Sequence, residues 1–313
     1  MRIGLDIMGG DYAPQECLKA AISFSESHTH VTLVLFGNEN NIETTDLNSY
    51  KNIEFVHCNE IIEMNEHPTK ALKEKPNSSI VLGFQHLATE KIDAFISAGN
   101  TGAMLIGAAH IIKPIQGVIR PTISTVIPTQ DGNFNILLDV GLNADCKPEH
   151  LNQFSILGSL FIQNIFDVQE PKVGLLNIGE EEGKGNILAQ NTYPLLKNNE
   201  HINFVGNIEG RDILTNKANV IVCEGFLGNV ILKFAESVYE IFAQQRNIND
   251  EYINRFNYEL YGGTPILGIN KPVIVGHGIS KSSSFIAMIE MAKKLIETEL
   301  CEKMRVRFEH LSE

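Results

Sequence analysis

Lys184 stands between Gly183 and Gly185, behind the three consecutive carboxylates Glu180, Glu181 and Glu182. A cation isolated in this way can reach a pocket as a point charge for phosphate or for a developing oxyanion. The run also reads as a solvated charge cluster. A second pattern opens the chain, where Asp6 and Asp11 flank a turn containing Gly9 and Gly10, and Ile3, Leu5 and Ile7 suit a strand that leads into it. A bare turn at a helix N-terminus attracts anions, because free N–H groups and the helix dipole aim at one spot. Asp11 equally suits a helix cap. In Ser97-Ala98-Gly99-Asn100-Thr101-Gly102-Ala103, the side chains of Ser97, Asn100 and Thr101 offer neutral hydrogen bonds, and Gly102 keeps the backbone approachable. A tetrahedral oxyanion needs such donors, although a strand–helix turn with an Asn or Thr cap has the same composition. Asp139 and Asn143 end a later apolar run and either shape a pocket loop or form Asx turns. Asn229 follows Gly228 and is expected to begin a helix; His277 lies between Gly276 and Gly278, open to a ligand, with Ser280 expected to cap the last helix.

Other chemistries lack their motifs. There is no G-x-x-x-x-G-K-[ST], no dinucleotide G-x-G-x-x-G and no H-E-x-x-H. There is no G-x-S-x-G elbow. Cys223 falls within an apolar run, and no cysteine sits beside a histidine in a glycine-rich loop. Without a covalent nucleophile, the pattern favours direct attack by a bound substrate. No cofactor and no metal are expected.

Composition narrows the partners. The chain has 313 residues, 43% apolar and 20% charged, with a formal charge of −13. That balance argues against nucleic acid and against a polybasic membrane anchor. Five widely spaced cysteines without a C-x-x-C fit a reducing cytoplasm. No segment approaches the roughly 18 continuous apolar residues of a membrane span.

These loops need elements to position them. Apolar, β-branched runs at Val31–Phe36, Ile53–Val56, Asp93–Ser97, Ile123–Ile127, Phe134–Val140, Lys172–Ile178, Ile202–Val205, Val220–Cys223 and Val273–Val275 read as strands. Ala13–Ser25, Ser78–Thr89, Thr101–Ile112, Pro148–Ile165, Ile187–Leu196, Asn229–Gln245 and Ser280–Leu300 read as helices. Their alternation predicts one α/β domain with a mostly parallel sheet covered on both faces. Ligands then bind outside the carboxyl ends of the strands. Residues 229–262 are expected to leave the body as a helical hairpin. Its first helix carries Ile231, Phe234, Val238 and Ile241 at helical spacing, and a weaker second one carries Tyr252, Ile253, Phe256 and Leu260.

Taken in order, the segments D-I-M-G-G-D-Y-A-P (6–14), S-A-G-N-T-G-A (97–103), L-D-V-G-L-N-A-D-C-K-P-E-H-L (138–151), G-L-L-N-I-G-E-E-E-G-K-G-N (174–186), E-G-F-L-G-N-V-I-L-K (224–233), G-G-T-P-I-L-G-I-N (262–270) and V-G-H-G-I-S (275–280) form a specific pattern. The chain resembles the bacterial acyl-[acyl-carrier-protein]:phosphate acyltransferase (PlsX) family from Asp6 to about Ser284. It departs from the family pattern at Glu224, where Asp is usual, at Leu142, where a small residue is usual, and at Pro76, within a segment that is usually basic.

The resemblance implies a three-layer α/β/α fold similar to phosphotransacetylases and isocitrate dehydrogenases. It implies that inorganic phosphate attacks the thioester of a long-chain acyl carrier protein. It also implies a homodimer loosely associated with the inner membrane face. Lys184 and Asn229 are then the candidate catalytic residues. Asp6, Gly9, Gly10, Asp11, Ser97, Asn100, Thr101, Gly102, Asp139, Asn143, His277 and Ser280 are the candidate substrate-binding set. Competing readings are a phosphotransacetylase acting on acyl-CoA, a nucleotide-dependent dehydrogenase on a related fold, and a membrane scaffold for acyl carrier protein.

Overall fold

A computed structural model describes residues 1–39 and 47–311. In chain order the first elements are β1 (Arg2–Asp6), α1 (Gln15–Ser27), β2 (Thr32–Gly37), β3 (Ile53–His57), α2 (Pro68–Glu74), α3 (Ser79–Ala88), β4 (Ala94–Ser97) and α4 (Thr101–Gly107). There follow β5 (Thr122–Pro128), β6 (Phe134–Leu138), α5 (Pro148–Phe166), β7 (Lys172–Leu176), α6 (Ile187–Lys197), β8 (Asn203–Ile208), β9 (Val220–Val222), α7 (Gly225–Tyr239) and α8 (Glu251–Asn254). The chain ends with β10 (Gly263–Leu267), β11 (Val273–Gly276), α9 (Ser282–Glu297) and α10 (Leu300–His310). The contacts fall into two compact units, Met1–Pro114 with Glu259–Cys301, and Ile115–Tyr258 with the chain from Glu302 onward.

In the first unit the strands pair in the order β3-β2-β1-β4-β11-β10. All pairs are parallel except β10 with β11. Ile3 and Leu5 lie opposite Leu33 and Leu35 on one side and Ala94 and Ile96 on the other. Successive residues of β1, β2 and β4 are buried. Since strand side chains alternate between faces, both faces must be covered. On one face α3 brings Phe84 to Phe95, which in turn meets Phe36 edge-on. Each such buried ring contributes about 1.5–3 kcal/mol of transfer free energy. Because β1, β4 and β11 are parallel, residues 7–14, 98–100 and 277–281 leave the sheet at the same end.

The second unit has the order β5-β6-β9-β7-β8, with only β5 and β6 antiparallel. Helix α5 covers one face, and its Gly158 lies against Val220 and Leu138. Ile231, Leu232 and Ala235 of α7 pack on a cluster that includes Ile127, Leu137, Ile221 and Cys223. The loops after β6, β7 and β9 again share one end of the sheet.

The mostly parallel α/β architecture is the expected one; several boundaries differ. Strand β10 has two glycine- or proline-type breakers, Gly263 and Pro265, which mask its extended character. The expected helix Ser280–Leu300 is α9, and a further helix, α10, follows it beyond Glu299, which takes a positive φ of 52°. Helix α7 starts at Gly225 with Glu224 as its cap, so Asn229 sits in the second turn rather than at the start. Helix α1 begins at Gln15, beyond Asp11. Helix α9 begins at Ser282 behind Lys281, so Ser280 does not cap it. Within 229–262, α7 runs into a π-helical turn at Glu240–Gln245, and the second helix is a single turn. That turn is tied down: Tyr252 Oη donates to Pro128 O, and the Arg255 guanidinium donates to Thr129 O and Asn133 O. The stripe expected from the helical spacing also divides, with Ile231 facing the core and Phe234 72% exposed.

Candidate active site

In the first unit the turn after β1 is built around a buried carboxylate. Ser97 Oγ, at the end of β4, donates to Asp6 Oδ2 at 2.6 Å. Met8 N and Gly9 N donate to Asp6 Oδ1 at 2.9 and 3.2 Å. Ser97 Oγ also accepts from Gly99 N at 2.9 Å. A Cβ on Gly9 would stand 2.6 Å from both Asp6 Oδ2 and Gly99 N, so only glycine allows the two strand-end turns to touch. Burial raises the Asp6 carboxyl above its ordinary range, and the bonds from Ser97, Ser79, Met8 and Gly9 oppose that shift. Asp6 thus holds the turn after β1.

The other candidates of this unit surround that turn. Asp11 N donates to Gly278 O at 2.7 Å, which joins the first turn to the one carrying the half-buried His277 and Ser280. The Ser280 hydroxyl is buried and makes no hydrogen bond. Gly10 has a φ of 100°, and Gly278 O lies 3.1 Å from its Cβ position. Asn100 is the N-cap of α4, as its residue type suggested: Oδ1 accepts from Ala103 N at 2.9 Å. Its Nδ2 donates to Glu63 O at 2.9 Å and to Glu66 O at 3.1 Å, anchoring a segment that no motif marks. Thr101, exposed, opens α4, while Gly102 lies against Pro68.

The second unit repeats the device at the end of β6. Asp139 Oδ1 accepts from Thr122 Oγ1 and Ile123 N, both at 3.0 Å. Its Oδ2 accepts from Asn143 N at 2.5 Å and Asn143 Nδ2 at 3.3 Å. Burial raises this carboxyl too, against those bonds. Gly225 N donates to Asn143 O at 2.8 Å, which fixes the start of α7 to the loop. Asn229 is exposed on α7, and its side chain lies 3.4 Å from the Cβ position of Gly141. Thr122 lies in no quoted segment; only its contact with Asp139 reveals it.

Lys184 occupies the loop between β7 and α6, with its side chain 52% exposed. The neighbouring carboxylates are mostly engaged elsewhere. Lys217 Nζ bonds Glu180 Oε1 at 2.5 Å and Asp212 Oδ2 at 2.9 Å. Lys197 Nζ bonds Glu182 Oε2 at 2.9 Å. Glu181 stands 3.9 Å from Lys184, an open pair of the kind that contributes about 0–1 kcal/mol. The loop backbone is held by Asn207 Nδ2 on Glu181 O at 2.9 Å, by Asn177 Nδ2 on Lys184 O at 3.1 Å, and by Gln190 Nε2 on Gly183 O and Gly185 O at 3.1 and 3.0 Å.

Burial disfavours the thiolate in four of the five cysteines. Burial pushes the Cys58 and Cys146 thiols up to about 12 and those of Cys17 and Cys223 well above the ordinary value. None of these four is a thiolate at neutral pH. Among the described residues, no group of three or more His, Cys, Asp or Glu side chains is placed to hold a metal ion.

Both units are mostly parallel α/β structures with glycine-rich loops at the strand ends, the class of fold in which ligands bind outside the carboxyl ends of the strands. The family model described as "Fatty acid synthesis protein" matches residues 1–303. A phosphate acyltransferase from Dictyoglomus thermophilum is 42% identical over 97% of this chain and 96% of its own length. One from Bacillus subtilis is 38% identical over 95% of this chain and 94% of its own. The chain belongs to this phosphate acyltransferase (PlsX) family and is an enzyme of that class. A solved phosphotransacetylase from Streptococcus pyogenes matches the fold with a TM-score of 0.65 at 15% identity, over 95% of this chain and 94% of that one.

Proposed function

We propose that the protein transfers a long-chain acyl group from the thioester of acyl carrier protein to inorganic phosphate. The products are acyl phosphate, which feeds phospholipid synthesis, and the free thiol of the carrier. A phosphate oxygen attacks the thioester carbonyl; the new C–O bond forms as the C=O electrons move onto oxygen. Collapse of this tetrahedral anion re-forms C=O and breaks C–S, and the departing sulfur takes a proton from water. Phosphate is already anionic at neutral pH, so it needs positioning and local neutralisation more than a base. Lys184 supplies the charge, and Asn229 supplies a hydrogen bond to phosphate or to the thioester oxygen. Loss of one such oxyanion donor costs about 2.7–4 kcal/mol of barrier. In the first unit Gly9, Gly10, Asp11, Thr101, Gly102, His277 and Ser280 are the candidate substrate contacts, with Asp6, Ser97 and Asn100 holding their turns; in the second, Asp139 and Asn143 hold the loop after β6.

The observation that carries the direct-attack reading is the Lys184 loop. Its cation is open to solvent while Glu180 and Glu182 are paired with other lysines. The reading includes a homodimer attached peripherally to the inner membrane face of the cytoplasm. Supporting the attachment are the outward side chains Phe226, Val230 and Phe234 on α7. No described helix is long and apolar enough to cross a membrane.

The test is acyl-phosphate formation by the purified protein with acyl carrier protein and acyl-CoA thioesters at equal concentration. Faster turnover of the carrier-protein thioester supports the reading. A preference for acyl-CoA makes the protein a phosphotransacetylase, and no acyl phosphate from either leaves only a scaffold.

A further inference from the structure

The peptide carbonyls at and on both sides of Lys184 are all bonded by side-chain amides. Gln190, one turn into α6, reaches back so that a single Nε2 bridges Gly183 O and Gly185 O. Asn177, just past β7, bonds the carbonyl of Lys184 itself. The Asn177 amide cannot turn freely, because its Oδ1 accepts from Ile178 N at 2.8 Å. The fit against Gly185 is tight as well, since a Cβ there would meet that Oδ1 at 2.2 Å. These bonds answer a specific weakness. A lysine between two glycines sits in a backbone with unusual conformational freedom. Electrostatic stabilisation works only if the charge is aimed before the reaction begins. Packing cannot supply that aim, because the Lys184 side chain is half in solvent.

We propose that Gln190 and Asn177 are positioning residues that hold Lys184 on target for acyl transfer to phosphate, a role that rests on the assignment of Lys184 above. Neither touches substrate; both act through the lysine backbone. A lysine aimed wrongly still attracts phosphate but stabilises the transition state less, so kcat falls more than phosphate affinity.

Gln190→Met keeps the length of this exposed side chain and removes both donors. Its kcat should fall about tenfold, equivalent to about 1.4 kcal/mol, with less than a twofold change in phosphate KM. In a Lys184→Ala background the same substitution should change the residual rate by less than twofold. Asn177→Ala should behave alike where it folds, and Gln190→Met carries the test alone where it does not. Equal loss in both backgrounds marks a merely structural role and overturns the proposal. Wild-type kcat in Gln190→Met also overturns it, while a strongly impaired Lys184→Ala would leave the lysine assignment standing. Near-normal turnover in Lys184→Ala removes that assignment and the proposal with it.

Discussion

Gly228 lies beneath the carbonyl of Asp139 so closely that a Cβ there would stand 1.9 Å from the carbonyl oxygen. The contact is backbone on helix, and neither side can yield by turning a side chain. It sets the distance of α7 from the end of β6, and hence the position of Asn229 over Gly141. Gly228→Ala should therefore destabilise the fold by about 1–3 kcal/mol or more, as overpacking does. Thermal denaturation checks this, and a fall of several degrees is expected. An unchanged melting temperature would mean that α7 slides freely past Asp139.

Lys184→Ala should lower turnover at least about a hundredfold, the low end for a lost electrostatic stabiliser. Stability should barely move, since its ion pair with Glu181 is open and long. Steady-state rates and a melting curve on the same preparation decide the matter. Near-normal turnover would remove Lys184 from the reaction.

Asn229→Asp keeps shape and adds a negative charge on the exposed face of α7. If Asn229 orients phosphate, repulsion should raise phosphate KM or depress kcat by about tenfold, the equivalent of about 1.4 kcal/mol. Glu224, not Asn229, caps α7, accepting from Phe226 N at 2.6 Å and Leu227 N at 3.0 Å. The substitution thus leaves the cap intact, and unchanged kinetics would show that Asn229 contributes nothing to binding.

Asp139 makes a pH prediction. Burial places its folded pKa above the ordinary value of 3.8. The folded chain then holds this proton more tightly than the unfolded chain. That contribution to stability is complete below the unfolded pKa and is lost as pH rises through the folded pKa. The amide introduced by Asp139→Asn does not titrate. In that variant the melting temperature relative to wild type should therefore increase as pH rises from about 4. A difference independent of pH would show that the carboxylate is stabilised as well in the fold as in water.

The apolar side chains exposed on α7 and on the π-helical turn that continues it give the membrane prediction. Phe234 and Phe242 are 72% and 43% exposed. Interfacial helices bury such side chains in the headgroup region. Phe234→Glu with Phe242→Glu should release the protein from anionic vesicles in a flotation assay while acyl transfer in solution persists. Retained flotation would exclude this face as the anchor; loss of dimerisation and activity would assign it to the subunit interface.

The architecture was legible where the signal is local. Alternating apolar runs and glycine-rich strand ends marked most of the strands to within a few residues, because burial on both faces leaves a continuous apolar run. The family was legible from ordered segments alone. Less visible was anything whose cause lies far away in sequence. Pro265 hides β10, which exists because β11 offers a partner. Helix α10 lies beyond the end of the expected Ser280–Leu300 helix. Asn229 looks like a helix start until Glu224 is seen accepting two N–H groups. Gln190 reads as an ordinary polar residue on a helix surface, and only the folded loop shows what it holds. The glycines at 225 and 228 were plain, but not that Asp139 stands over them.

The held carbonyls around Lys184 also bear on digestion. Lys184 followed by Gly185, exposed and in a loop, is the kind of bond trypsin cuts first. A protease must draw its substrate into an extended strand, and here the carbonyl it would attack is bonded to Asn177 while its neighbours are bonded to Gln190. Resistance of this one bond therefore gauges how often the loop opens, with no acyl donor or phosphate present.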